Sequence, residues 1–205
     1  MSKKIIVAVI LSLMVFKAQA GIFITPGGYY TFNGSTEPSY TSGLGKASLK
    51  NKVSGYVGSL RLGFSTSGFA MGVAYARQYS KSENETCPGN LWSSLCSSNN
   101  QTRWINYVGG FVGYQIMDSL NLGLAYLVPY GIKNEAGMDN LTIGVGLTIL
   151  PFMSLVLRYS IPLNAKYYDN SGKAHDLPYE ISSGLDLDKV EGSAAGVGLE
   201  FPIGF

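Results

Sequence analysis

From Ala195 to the terminal Phe205 every second residue is apolar: Ala195, Val197, Leu199, Phe201, Ile203 and Phe205, separated by Gly196, Gly198, Glu200, Pro202 and Gly204. A period of two puts alternate side chains on opposite faces of an extended strand. Chain ends are ordinarily frayed and polar, so a terminus patterned this strictly belongs to a strand held on both edges. The same alternation recurs in Tyr56–Phe64, Phe69–Tyr75, Leu120–Tyr126, Leu141–Ile149 and Leu155–Leu163. Two segments are less regular. Ile22–Phe32 is interrupted by Pro26-Gly27-Gly28, and Trp104–Ile116 carries bulky residues on both parities. Together these segments predict eight strands, at about 22–33, 53–64, 68–79, 104–116, 120–130, 140–150, 154–164 and 191–205.

Short turns at 65–68, 117–119 and 151–153 alternate with longer loops at 34–52, 80–103, 131–139 and 165–190. This is the spacing of an up-and-down meander with tight turns on one rim and loops on the other. An even strand count returns both termini to the short-turn rim. In a soluble sandwich or barrel, the second parity would be rich in solvated charge. Here it reads Ser59, Arg61, Gly63; Ala70, Gly72, Ala74; Asn121, Gly123, Ala125; Thr142, Gly144, Gly146; Arg158, Ser160; Gly198, Glu200. Such small residues make a poor solvated face but suit the lumen of an eight-stranded barrel, which has room for side chains and little else. Leu, Ile, Val, Phe and Tyr on the first parity would then face lipid. Aromatics gather toward the ends of that band, at Tyr56, Phe64, Tyr114, Tyr126, Tyr130, Tyr159, Phe201 and Phe205, as interfacial girdles do. In hydrocarbon a sheet can leave no edge unpaired. The predicted fold is therefore an all-β, eight-stranded antiparallel up-and-down transmembrane β-barrel, with the last strand closing onto the first. A secreted β-sandwich is the lesser alternative.

The N-terminus has the form of an export signal. Lys3 and Lys4 precede an apolar stretch from Ile5 to Phe16, followed by Ala18-Gln19-Ala20. The stretch is too short for a spanning helix, which needs about 20 residues, and the A-x-A triplet places cleavage between Ala20 and Gly21. Residues 1–20 are thus expected to be removed, leaving 21–205 as one barrel domain. Removal takes three lysines and no acids, moving the formal charge from +2 to −1. No basic stripe remains for nucleic acid. The two cysteines, Cys87 and Cys96, are ten residues apart inclusive within CPGNLWSSLC. In an exported chain such a pair is expected to form a disulfide pinning a loop. No histidine stands near them to complete a zinc set.

In these features the chain resembles the small eight-stranded outer-membrane proteins, of the OmpA-barrel, OmpX, OmpW and opacity-protein type. The terminal Leu199, Phe201, Ile203 and Phe205 look like the C-terminal aromatic signal read by the barrel-assembly machinery; Pro202 departs from the usual pattern, and its missing N–H belongs at a rim or bulge. The resemblance implies residence in the bacterial outer membrane. It implies contact with outer-membrane lipid and lipopolysaccharide, and engagement of the assembly machinery during biogenesis.

Three charged residues fall on the inward parity: Arg61, Arg158 and Glu200. Each lies a few residues from the short-turn rim, and Gln115 and Asn121 flank the middle short turn on the same parity. A lone buried ion is costly, so these five are expected to form a lumen network with Glu200 paired to Arg158, Arg61 or both. In OmpA-like barrels such pairs act as structural plugs that can rearrange. No catalytic constellation is legible. The sole histidine, His175, lies in the final long loop with Ser171 nearby, and no His-x-Ser deacylase pattern accompanies it. Asp186-Leu-Asp188 matches no calcium-loop spacing, so neither metal nor cofactor is expected. The loops carry any specific contact with an extracellular ligand. The expected function is structural and surface-interacting, without enzymatic chemistry. The alternative is an OmpW-like narrow conduit for small or hydrophobic molecules, with Leu127 and Val156 making the upper lumen partly apolar.

Overall fold

The protein is described from a computed structural model, covering residues 21–43, 45–86, 100–117, 119–182 and 184–204. The signal segment, with Ala20, lies outside the described residues, as do Cys87, Cys96 and Phe205. Among the described residues twelve strands follow in order: β1 Gly21–Ser42, β2 Gly45–Ser48, β3 Lys50–Thr66, β4 Phe69–Thr86, β5 Asn100–Met117 and β6 Leu120–Tyr130. After these come β7 Glu135–Leu150, β8 Met153–Tyr168, β9 Ala174–Asp176, β10 Tyr179–Ser182, β11 Leu185–Glu200 and β12 Ile203–Gly204. Eight of them are the staves of a closed antiparallel barrel, in the circular order β1, β3, β4, β5, β6, β7, β8, β11.

Closure comes from β11, which pairs with β1 from Gly27↔Glu200 to Ser42↔Leu185 and with β8 from Ala194↔Ser160 to Glu200↔Ser154. The strand predicted at 191–205 is therefore held on both edges up to Glu200. It then breaks at Phe201-Pro202, and β12 resumes against β1 alone, at Phe23↔Gly204 and Ile24↔Ile203. Pro202 sits in that break, where no ladder hydrogen bond is asked of it. The Phe201 N–H donates to Pro26 O at 2.9 Å and carries the pairing across.

The tight turn between β3 and β4 is Ser67-Gly68, with φ of 48° and 80°. Two consecutive positive φ values match the twist of a hairpin's strands, and glycine takes the second without steric cost. At the opposite rim the strands run much further than expected. β1 is 22 residues long and β4 and β5 are 18 each, whereas about 10 residues cross a bilayer. Residues 35–42, 80–86 and 165–168, expected in loops, instead continue the ladder beyond the apolar belt. β2, β9 and β10 add short flaps at the same rim, against β1, β8 and β11.

The two parities face as the pattern predicts. Leu60, Leu62, Val73, Leu122, Leu124, Ile143, Val145, Leu157 and Leu199 point out and are exposed. Aromatics frame the band in cross-strand pairs: Tyr30 with Tyr56, Phe69 with Tyr114, Tyr75 with Tyr130, and Tyr79 with Trp104. Such an outside is stable only against hydrocarbon, and the closed ladder leaves no backbone edge in it. This is a membrane barrel. Its core is the lumen, where Tyr29, Val57, Ala74, Ala76, Ile105, Tyr107, Phe111, Leu127 and Val156 pack together.

Candidate functional site

The inward parity is not uniformly small. Tyr29 on β1 enters the lumen because Gly198, its neighbour across the β1–β11 ladder, leaves space for the ring. A β-carbon on Gly198 would lie 2.4 Å from Tyr29 Cδ1. Gly27, one inward position below, is bare for a similar reason. A β-carbon there would meet Ser59 Oγ at 3.0 Å, Tyr29 Oη at 3.2 Å and Glu200 Cγ at 3.3 Å.

Those three groups surround the charged centre. Glu200 is bound through both oxygens: Tyr29 Oη donates to Oε1, and Arg61 Nη2 pairs with Oε2. Of the two arginines open to it, Glu200 takes Arg61. The Arg158 guanidinium lies instead over the Tyr29 ring, 4.4 Å from its centroid, and Arg61 leans over Phe111 at 5.4 Å. Both contacts set a cation against the negative face of a π system. Tyr29 is therefore the hinge of the cluster, its hydroxyl on the carboxylate and its face under the second arginine. Among the described residues no carboxylate pairs with Arg158, so two cations here face one anion.

The remaining two residues of the expected network sit apart from this centre. Asn121 Nδ2 donates to Thr148 Oγ1 at 3.3 Å, and Thr148 in turn meets Ser154 Oγ at 3.4 Å. Gln115 is exposed near the short-turn rim, its N–H donating to Gly68 O at 2.7 Å. Further up the lumen, Thr142 and Ser160 hydroxyls meet at 3.0 Å, and Arg103 pairs with Glu135 at 2.5 Å. That second ion pair was not legible because both partners lie in segments with no apolar period.

The lumen is divided. A cavity of about 490 Å³ opens at the short-turn rim and is lined by Arg61, Glu200, Arg158, Phe111 and Ala125 among others. A smaller one of about 70 Å³ lies toward the long-loop rim, lined by Arg103, Tyr107 and Asn140. Ala76, Leu127, Thr142 and Arg158 border both, and where the two meet the buried Tyr29, Ala76, Tyr107 and Leu127 belong to one packed cluster, the septum.

The C-terminal residues Leu199, Phe201 and Ile203 lie on the lipid face, all exposed, and Gly21 heads β1. His175 lies on β9, its Nε2 2.9 Å from Asp169 Oδ2, with its ring on Tyr179. Asp169 Oδ1 accepts from Ser171 Oγ at 2.6 Å and from the Ser171 and Lys173 amides at 2.9 and 3.0 Å. The contact with His175, followed by those with Ser171 and Lys173, holds the Asp169 carboxyl well below the usual carboxylate range. Ser171 thus spends its proton on the carboxylate, not on the imidazole. Asp188, in the segment read as Asp186-Leu-Asp188, accepts from Thr41 Oγ1.

No protein-family model and no curated sequence matches the chain. Among solved structures it is similar to Neisserial surface protein A, with 13% identity over 89% of this chain and 97% of that one, at a TM-score of 0.37. It is similar also to the outer membrane protease OmpT of Escherichia coli, with 9% identity over 92% of this chain and 98% of that one, at a TM-score of 0.33. Nothing about function follows from likenesses at this level.

Proposed function

We propose that this is an integral barrel of the bacterial outer membrane that does not conduct. It contributes to envelope structure and presents its long-loop rim for surface contact, without enzymatic chemistry of its own. The observation that carries this reading is the septum: Tyr29, Tyr107 and Leu127 are buried in one packed cluster where the two cavities meet. A conduit needs a continuous wetted path, and these side chains are packed across it. The apolar exterior supports placement in a bilayer, and the A-x-A signal supports export. The hydroxyl of Ser171 is engaged by Asp169, which leaves His175 without an activated nucleophile beside it.

The conduit remains the second reading, because the larger cavity reaches the short-turn rim. Planar-bilayer recording separates the two. Insertions that stay silent agree with the septum; steady single-channel steps from the wild-type chain overturn it in favour of a conduit.

A further inference from the structure

The larger cavity has two unlike halves. Its charged groups come from one arc of neighbouring staves, Arg158 on β8, Glu200 on β11 and Arg61 on β3, with the Tyr29 hydroxyl on β1 among them. The opposite arc, β4 to β7, gives it no charged group: alanines, glycines, Phe111 and Leu127 line it, with Gln115, Asn121 and Thr142 as neutral polar side chains. A lumen filled only for packing has no reason to keep such an imbalance. Burying a cation is costly unless a counter-charge attends it, and here Glu200 is already taken by Arg61 and Tyr29. Arg158 has an aromatic face but no anion among the described residues. Two further polar atoms on the same arc, Arg61 Nε and Ser59 Oγ, are buried without a hydrogen-bond partner. The charged arc is thus short of one acceptor, and the uncharged arc has open volume beside it.

We propose that the lower lumen is a binding site for a small anionic amphiphile. Its carboxylate-sized head is met by Arg158 and the Arg61–Ser59 donors, and a short acyl stem lies against Phe111, Ala74 and Ala125. The volume, about 490 Å³, falls within the span of small-molecule pockets. Arg158 at the septum fixes how deep the head goes, and entry is from the short-turn rim. The site is blind, so it binds without passing its ligand on. This goes beyond the non-conducting reading and is measured separately from it: bilayer recording reads conduction, and the experiment below reads occupancy.

The test is calorimetric titration of the full mature chain, refolded into phosphatidylcholine nanodiscs, with hexanoate as probe and empty nanodiscs subtracted. Hexanoate is expected to saturate one site, and hexylammonium to give no saturable heat. Affinity should rise about fourfold per methylene from butanoate to hexanoate, as stem burial requires. Arg158→Gln should weaken hexanoate about 10- to 100-fold, the loss of a hydrogen bond to a charged group. Arg158→Lys should recover part of it. Ala125→Leu keeps every charge and fills the stem space, so it should flatten the chain-length series while butanoate still binds. Heat-modifiable mobility on a detergent gel checks that each variant is folded. The proposal is overturned by an absence of saturable heat, by equal binding of hexylammonium, by a flat series in the wild type, or by hexanoate affinity unchanged in folded Arg158→Gln.

Discussion

Replacing Glu200 by alanine removes the one anion of the lumen cluster. It leaves the Arg61 guanidinium without its counter-charge and the Tyr29 hydroxyl without its acceptor. Truncating one partner of a fully buried pair costs about 3–5 kcal/mol. The Arg61 and Glu200 side chains retain 23% and 12% of their exposure toward the cavity, so water attends the orphaned cation in part. Two hydrogen bonds to a charged group, discounted for that access, give an expected loss of about 2–4 kcal/mol. Glu200→Gln still accepts from Tyr29 and should lose about half as much. The assay is equilibrium urea unfolding in lipid vesicles, scored by the shift between folded and unfolded gel mobility. Double-mutant cycles make the test specific. Coupling between Glu200 and Arg61 should reach about 1 kcal/mol or more, and exceed that between Glu200 and Arg158, which touch only through Tyr29. A loss below about 0.5 kcal/mol, or the larger coupling on Arg158, would refute the geometry.

Other outcomes follow from single positions. Gly27→Ala places a β-carbon 3.0 Å from Ser59 Oγ and should destabilise the barrel by about 1–3 kcal/mol through overpacking, read in the same urea titration. Leu62→Arg puts a cation on the lipid face, where Leu62 is 47% exposed; it should cost about 2–4 kcal/mol near mid-bilayer, while an equally exposed polar site beyond the belt tolerates arginine. Asp169 is a carboxylate whose folded pKa is depressed. Its contribution is therefore complete above the unfolded value of about 3.9 and is lost only as pH falls through the lower folded one. The Ser171 amide proton shift, which reports its bond to Asp169, should show no step centred at about pH 4, where an ordinary aspartate titrates. A transition near the ordinary carboxylate pKa would contradict that arrangement.

Much of the barrel was legible because lipid outside and a narrow lumen inside impose a period of two. Leu120–Tyr126 and Leu141–Ile149 could be oriented from the letters alone. The inward arginines and Glu200 stood out as charges in rows of glycine and alanine. Tyr29 did not. It lies in the stretch where Pro26-Gly27-Gly28 and the irregularity between Thr31 and Gly34 blur the parity, and an inward tyrosine there reads like another girdle residue. Phe111 was hidden in the same way, since both parities of β5 carry bulk. The telling signal was present in Gly198, bare opposite Tyr29, but a glycine discloses its partner only once the register is known. The strand extensions above the belt were missed for another reason. Ser35–Ser42 and Ser80–Thr86 have water on the outside, so hydrogen bonding continues the ladder with no apolar alternation to announce it.

The orientation of the two parities underlies every step above, and spin-label scanning along β6 measures it directly. With Cys87 and Cys96 replaced by serine, single nitroxides at positions 121 to 126 would be examined in the vesicle-embedded barrel. Labels at 122, 124 and 126 should collide freely with oxygen and be shielded from a water-soluble nickel chelate, while those at 121, 123 and 125 show the opposite preference. An alternation of reversed phase, or none, would contradict a lipid-facing exterior around a polar lumen.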